Sequence, residues 1–178
     1  MKVDIYWIRE VHDGRLAIMP RPRAGEWLED ELKAWRNGGI DVVVSLLTPG
    51  EIAELELRDE PKICQDNRME YISYPIHDRQ VPISQAATMQ LIEMIQKRLK
   101  QGKGVAIHCR MGVGRSALIA ACVMVSQGFE LSASFEAIGK ARGIQVPDTD
   151  EQKRWAEVYS KNLTSKPYSG QLPITNYR

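Results

Sequence analysis

An α/β domain with a central, mainly parallel sheet flanked by helices on both faces is the fold this sequence predicts. Three observations point there. Short β-branched runs alternate with helical stripes along the chain, the order that places crossover helices between parallel strands. Two of the runs, Val42-Val43-Val44 and Val105-Ala106-Ile107, are apolar at every position, as strands covered on both faces are. At 104–127 a strand, a glycine-containing loop and a helix apolar nearly all round follow one another, which puts that strand-loop-helix turn at the centre of the sheet.

Each element has a local reason. VDIYWI (3–8) and RLAIM (15–19) read as strands around the turn HDG. Residues 25–39 carry Trp27, Leu28, Leu32 and Trp35 at helical spacing, so both tryptophans are expected in the core, and Gly38-Gly39 stops the helix. IDVVVSLL (40–47) is the next strand, and TPGEIAELEL (48–57) opens a helix with Thr, Pro and an acidic first turn. MEYISYPI (69–76) is a strand that leaves as the loop HDRQVP. Ser84 then caps a helix whose Ala87, Leu91, Ile95 and Leu99 form one stripe, ended by QGKG. VAIH (105–108) precedes the central helix, and SASFEAIGKA and DEQKRWAEVYSKN are two more helices. The last residues, 163–178, have turn formers without periodicity and read as an irregular tail of a single domain spanning 1–178.

Composition narrows the function. The formal net charge is +1 and both signs are interspersed, so neither nucleic acid nor a membrane surface is an expected partner. MKVDIYWIRE has charges within its first apolar run and reads as mature sequence. The most apolar run, 117–125, falls far short of the ~20 residues of a membrane span. Cys64, Cys109 and Cys122 are odd in number and form no C-x-x-C pair, which favours free thiols in a reducing, cytoplasmic setting. His12, His77 and His108 lie far apart, without metal-ligand spacing, so no metal or other cofactor is expected.

The stretch AIHCRMGVGRSALIA (106–120) carries the chemistry. A strand-loop-helix turn aims backbone N–H groups at whatever lies at the helix N-terminus, an anion site. Gly112 and Gly114 let the backbone curl without a Cβ in the way. The amides of Arg110, Met111, Gly112, Val113 and Gly114 would bind a phosphate together with the planar fork of Arg115. Cys109, at the start of the loop, feels the same dipole and donors, which favour its thiolate. Ser116 can donate a hydrogen bond to that thiolate, and His108 can orient the loop. Asp78, on a loop stiffened by Pro75 and Pro82, is the candidate general acid; a turn-forming aspartate is the plainer account, and His77 is an alternative proton donor. Glu51 and Glu54 read first as surface helix charge, with an ion pair to Arg115 as the alternative. Cys122 reads as core filler, and Cys64 as an oxidation partner only distantly.

HCRMGVGRS matches H-C-x-x-G-x-x-R-[ST], and the chain from about 40 to 158 resembles the cysteine-dependent protein tyrosine phosphatases, in particular their dual-specificity branch. The resemblance implies Cys109 as nucleophile, Arg115 as phosphate clamp, Asp78 as general acid and Ser116 as thiolate stabiliser. VPDTDEQKRW looks like the segment where relatives place a water-orienting glutamine, here Gln152; Thr149 and Gln152 equally read as a capping box. The implied activity is hydrolysis of phosphotyrosine, then phosphoserine or phosphothreonine, on proteins through a phosphocysteine intermediate. A small phosphomonoester is the other substrate class. The alternatives are a rhodanese-like sulfurtransferase and a non-catalytic phosphate-binding module.

Overall fold

A computed structural model of the chain describes residues 3–8, 11 and 13–165. Strands β1 (Tyr6–Ile8) and β2 (Arg15–Met19) are followed by helix α1 (Leu28–Asn37), strand β3 (Val42–Ser45), and helices α2 (Pro49–Glu54) and α3 (Glu60–Asp66). Then come strand β4 (Glu70–Ser73), helix α4 (Gln85–Lys100), strand β5 (Gly104–His108), and helices α5 (Arg115–Ser126), α6 (Leu131–Arg142) and α7 (Asp150–Ser165). The five strands lie in the order β1-β2-β5-β3-β4. β1 runs antiparallel to β2, and the other pairings are parallel. The fold is the expected one, a mainly parallel sheet flanked by helices on both faces, with β5 at its centre.

Period-two alternation divides the core between the faces. Leu16, Ile18, Val42, Val44, Val105 and Ile107 pack with α4, α5, α6 and α7. Ala17, Met19, Val43 and Ala106 point the other way, into a smaller cluster with Leu32 and Trp35 of α1 and Cys64 of α3. That division explains why the central strands are apolar throughout.

Polar contacts set where elements begin. The Thr48 hydroxyl and the Glu51 carboxylate form a capping box at α2, and Ser84 accepts from the Ala87 N–H at 3.2 Å. Asp41 accepts from the Gly104 N–H at 2.8 Å and pairs with Arg36. Arg98 of α4 grips Glu70 of β4 with a short contact of 2.6 Å.

Parallel strands deliver their C-terminal loops to one edge of the sheet, where ligands bind in such folds. The ladder continues into those loops. Leu46 N–H donates to the His108 carbonyl at 3.0 Å, Ile76 N–H to Leu46 at 3.1 Å, and Arg21 N–H to Arg110 at 3.3 Å. The segments following β2, β3, β4 and β5 are thereby tied side by side.

Four local expectations change. Trp27 is 48% exposed. It belongs to a 3-10 turn, Gly25–Trp27, ahead of α1, which rotates it out of the Leu28-Leu32-Trp35 stripe; the Arg23 guanidinium lies 5.1 Å from its ring centre. Helix α3 escapes the periodicity reading because it is short and buries only Glu60 and Cys64. β1 is confined to Tyr6–Ile8, shorter than VDIYWI. Helix α7 continues to Ser165, so Leu163, Thr164 and Ser165 are helical, and the rest of the expected tail, 166–178, lies outside the described residues, as does His12. Among the described residues no helix is long and apolar enough to cross a membrane.

Leu118 sits wholly buried on α5 against the sheet. Replacing it with alanine should lower unfolding stability by about 2–5 kcal/mol through lost burial and a residual cavity. Urea titration should show the midpoint falling at an unchanged slope.

Candidate active site

The loop from Cys109 to Gly114 joins the central strand to the most buried helix. Helix α5 starts at Arg115 with Gly114 as its N-cap and no side chain capping it. Its first amides are therefore left for a ligand. Gly112 adopts φ +65°, and a Cβ there would come within 2.5 Å of the Met19 carbonyl oxygen. A Cβ on Gly114 would lie 2.9 Å from the Gln152 side chain. Gly112 excludes a side chain both by contact with backbone and by its left-handed conformation, whereas at Gly114 a side chain would press on Asp148 and Gln152.

Cys109 is almost fully covered. The Gly112 N–H points at its Sγ from 3.3 Å, and Ser116 Oγ lies 3.5 Å away on the helix side. Both groups can donate to a thiolate. Of the other thiols, burial and the Glu60 carboxylate push Cys64 up to about 12, and complete burial pushes Cys122 up. A buried thiol held protonated is a poor nucleophile, and Cys64 and Cys122 are both packed in the core.

Arg115 is buried, and both terminal nitrogens of its guanidinium are engaged. Nη1 donates to Glu51 Oε2 and to the Ile76 carbonyl, both at 2.8 Å. Nη2 donates to Glu51 Oε1 and to Asp78 Oδ1, both at 2.9 Å. Glu51 is thus a bidentate partner of Arg115, not a surface helix charge, and the capping box is what aims it: Thr48 N–H holds Glu51 Oε2 at 3.0 Å. Burial alone would raise the Glu51 carboxyl, but the Arg115 guanidinium and Thr48 hold it below its ordinary value. Burial likewise opposes the Arg115 charge, and Glu51, Cys109 and Asp78 raise its pKa regardless. Glu54 pairs instead with Arg110, at 2.8 Å.

The groups converge on a cleft of about 300 Å³. Cys109 and Arg115 lie in its lining, with Met111, Val113 and Gly114 from the loop. Asp78 and Arg79 enter from the loop after β4, Asp148 from the segment ahead of α7, and Gln152 from its first turn. Gln152 is wholly buried. Its N–H donates to Thr149 Oγ1 at 3.2 Å, its Nε2 donates to the Gln80 carbonyl at 3.2 Å, and its Oε1 has no partner. One glutamine therefore occupies the capping position and reaches the cleft.

Not every residue singled out in the sequence faces the cleft. The Arg110 side chain turns outward to Glu54. His108 lies behind the loop, wholly buried, with Nε2 3.0 Å from Glu60 Oε1. His77 is exposed and does not line the cleft. Glu60 and Asp148 escaped the sequence reading, because only the tertiary fold brings α3 under β5 and the 143–149 segment against the loop.

Comparisons with known proteins bear on the fold and the family. Residues 17–129 match a family model described as a polymorphic toxin system DSP-PTPase phosphatase. A curated relative, cyclin-dependent kinase inhibitor 3 of Rattus norvegicus, is 22% identical over 140 residues, 78% of this chain and 66% of that protein. The chain thus spans just under two thirds of the relative's length. Among solved structures, a kinase associated phosphatase carrying serine in place of its catalytic site cysteine superposes with TM-score 0.82 at 18% identity, covering 94% of this chain and 99% of that one. Tk-PTP in the active form superposes with TM-score 0.73 at 26% identity, covering 90% and 99%.

The Glu51–Arg115 pair makes a pH-dependent contribution of known sign. Glu51 titrates lower in the folded chain, so the pair stabilises the fold above the ordinary value of 4.5 and loses that contribution as pH falls through the lower folded value. Glu51→Gln should cost about 3 kcal/mol near neutral pH, the lower end for breaking a buried pair, since Asp78 and the Ile76 carbonyl remain. Thermal melts across pH should show the gap between wild type and variant closing on the acid side. A gap independent of pH would contradict the assignment.

Proposed function

From the premise that the chain belongs to the dual-specificity and protein tyrosine phosphatase family, we propose that it hydrolyses phosphate monoesters, with Cys109 as nucleophile and a phosphocysteine as intermediate. One observation carries this reading: Cys109 Sγ lies beneath an inward-pointing Gly112 N–H at 3.3 Å, at the open N-terminus of α5, with Arg115 in the first turn. A thiol so placed faces an anion and little else.

The resting contacts suggest how substrate engages. Asp78 now occupies one Arg115 N–H, where a phosphate oxygen would sit. An arriving phosphate dianion takes over that N–H and displaces the carboxylate. Released from the guanidinium, Asp78 is free to face the leaving oxygen, and in its protonated form it serves as the general acid. The Cys109 thiolate then attacks phosphorus in line. The S–P bond forms, the P–O bond to the leaving group breaks, and Asp78 passes its proton to the departing oxygen. Amides of the loop and Arg115 hold the three equatorial oxygens, on which the charge is spread.

In the second half water attacks phosphorus, the S–P bond breaks and inorganic phosphate leaves. Asp78, now a carboxylate, accepts the proton of that water. The unpartnered Oε1 of Gln152 can accept from the same water. The returning sulfur anion finds Ser116 Oγ at 3.5 Å and the Gly112 N–H in place, so splitting the reaction does not leave an unstabilised thiolate.

The cleft supports protein phosphoesters as substrates, phosphotyrosine first and phosphoserine or phosphothreonine also. Met111 on the rim is 63% exposed, an apolar surface for the residue bearing the phosphate. Arg110, engaged by Glu54, is not poised for a second phosphate group. Free Cys64, Cys109 and Cys122 fit the reducing cytoplasm as the place of action, and we read residues 1–178 as one catalytic domain.

Turnover of para-nitrophenyl phosphate tests the reading. Cys109→Ser should abolish it yet keep vanadate affinity; a serine variant with wild-type turnover would move the nucleophile elsewhere. Asp78→Asn should slow aryl phosphates by about 10²-fold, and alkyl phosphates more because their leaving oxygen is more basic. An unchanged alkyl rate would remove Asp78 from the acid role.

A further inference from the structure

Arg142, the last residue of α6, lies 30 residues beyond the loop in sequence yet reaches its back. Its Nε donates to the Gly112 carbonyl at 3.1 Å and its Nη2 to the Met111 carbonyl at 3.4 Å. On its other side the guanidinium carbon lies 4.3 Å from the centre of the Tyr6 ring on β1. We propose that Arg142 is the positioning residue of the anion cradle: it turns the amides of the loop toward the phosphate by holding their carbonyls from outside.

The reason is the planar trans peptide. Its C=O and N–H point in opposite directions, so fixing one aims the other. Three consecutive carbonyls of the loop are held outward, that of Arg110 by the Arg21 N–H and those of Met111 and Gly112 by Arg142. The N–H groups of Met111, Gly112 and Val113 belong to the same peptide planes. For one of the three the inward aim is visible directly, since Gly112 N–H points at Cys109 Sγ. The loop needs such an anchor. Gly112 has φ +65°, and glycine peptides rotate with little steric resistance. A guanidinium suits the task because its planar fork presents parallel donors, and the aromatic face of Tyr6 confines it. Its positive charge behind the loop also adds to the field an incoming dianion meets.

The proposal rests on Cys109 being the nucleophile, so the experiment separates the two. Arg142→Gln and Arg142→Lys are compared with wild type in three measurements: kcat and KM for para-nitrophenyl phosphate, vanadate inhibition, and the rate of Cys109 alkylation by anionic iodoacetate relative to neutral iodoacetamide. The alkylation ratio reads anion attraction at the sulfur without needing Asp78 or turnover. Arg142→Gln should weaken vanadate by about tenfold or more, as loss of a group that orients a first-contact ligand does, and lower the alkylation ratio in parallel. Arg142→Lys, keeping charge but not the fork, should fall between. If Arg142→Gln is folded by circular dichroism and leaves vanadate affinity and the ratio within twofold of wild type, the proposal is overturned. If that variant does not fold, Arg142→Lys with wild-type values in both readouts overturns it equally. Should Cys109→Ser retain turnover, the nucleophile assignment fails instead, and the vanadate measurement still decides whether Arg142 shapes the cradle.

Discussion

A buried guanidinium has to be neutralised before this chain can form its central turn. Arg115 opens α5 with almost no solvent contact, and an unpaired charge there would cost several kcal/mol. Glu51 meets it through both carboxylate oxygens, the Ile76 carbonyl takes a further donor, and Asp78 completes the set. Much local structure is arranged to make those contacts. The capping box at α2 fixes the Glu51 rotamer, and the ladder running from β5 through Leu46 to Ile76 brings the segment after β4 close enough to share the charge. One ion-pair cluster thereby ties together the ends of three parallel strands.

The same cluster sets a conflict that suits phosphate chemistry. Glu51 is permanent: its two oxygens are satisfied by one guanidinium edge and by Thr48. Asp78 is held by one contact only, on a more than half-exposed side chain. Of the two carboxylates, the second is the one the proposed mechanism releases to an incoming dianion. Permanent and exchangeable partners on one arginine separate the task of building the loop from the task of responding to ligand.

The three thiols differ in what packs against their sulfurs. Cys64 and Cys122 are packed in apolar clusters where burial opposes ionisation. Cys109 is as well covered as they are, but the groups against it are an N–H and a hydroxyl. The proposed nucleophile is thus the thiol with hydrogen-bonding groups set against its sulfur. The loop carbonyls complete the picture from the rear, where Arg21 and Arg142 take them up.

Much of this was legible along the chain. Strand runs, the Ser84 and Thr48 caps, the all-apolar α5 and the HCRMGVGRS loop are local features, and local propensity and spacing report them faithfully. The single-sequence reading also placed Asp78 and Gln152, because each lies just after or at the start of a recognisable element. Other features depend on which segments meet in space. Glu51 has the same sequence context as any first-turn glutamate, and only the parallel register of β3 beside β5 sets it against Arg115. Glu60 lies in a helix too short for periodicity, Trp27 left its stripe through one 3-10 turn, and Arg142 looks like an ordinary C-terminal helix charge. Sequence by itself determined the loop and the layered fold and singled out Cys109 as the candidate nucleophile, since those rest on neighbours along the chain. Tertiary structure alone decided which distant charges hold that loop, since an ion pair or a held carbonyl depends on distances of about 3 Å between segments that no spacing encodes.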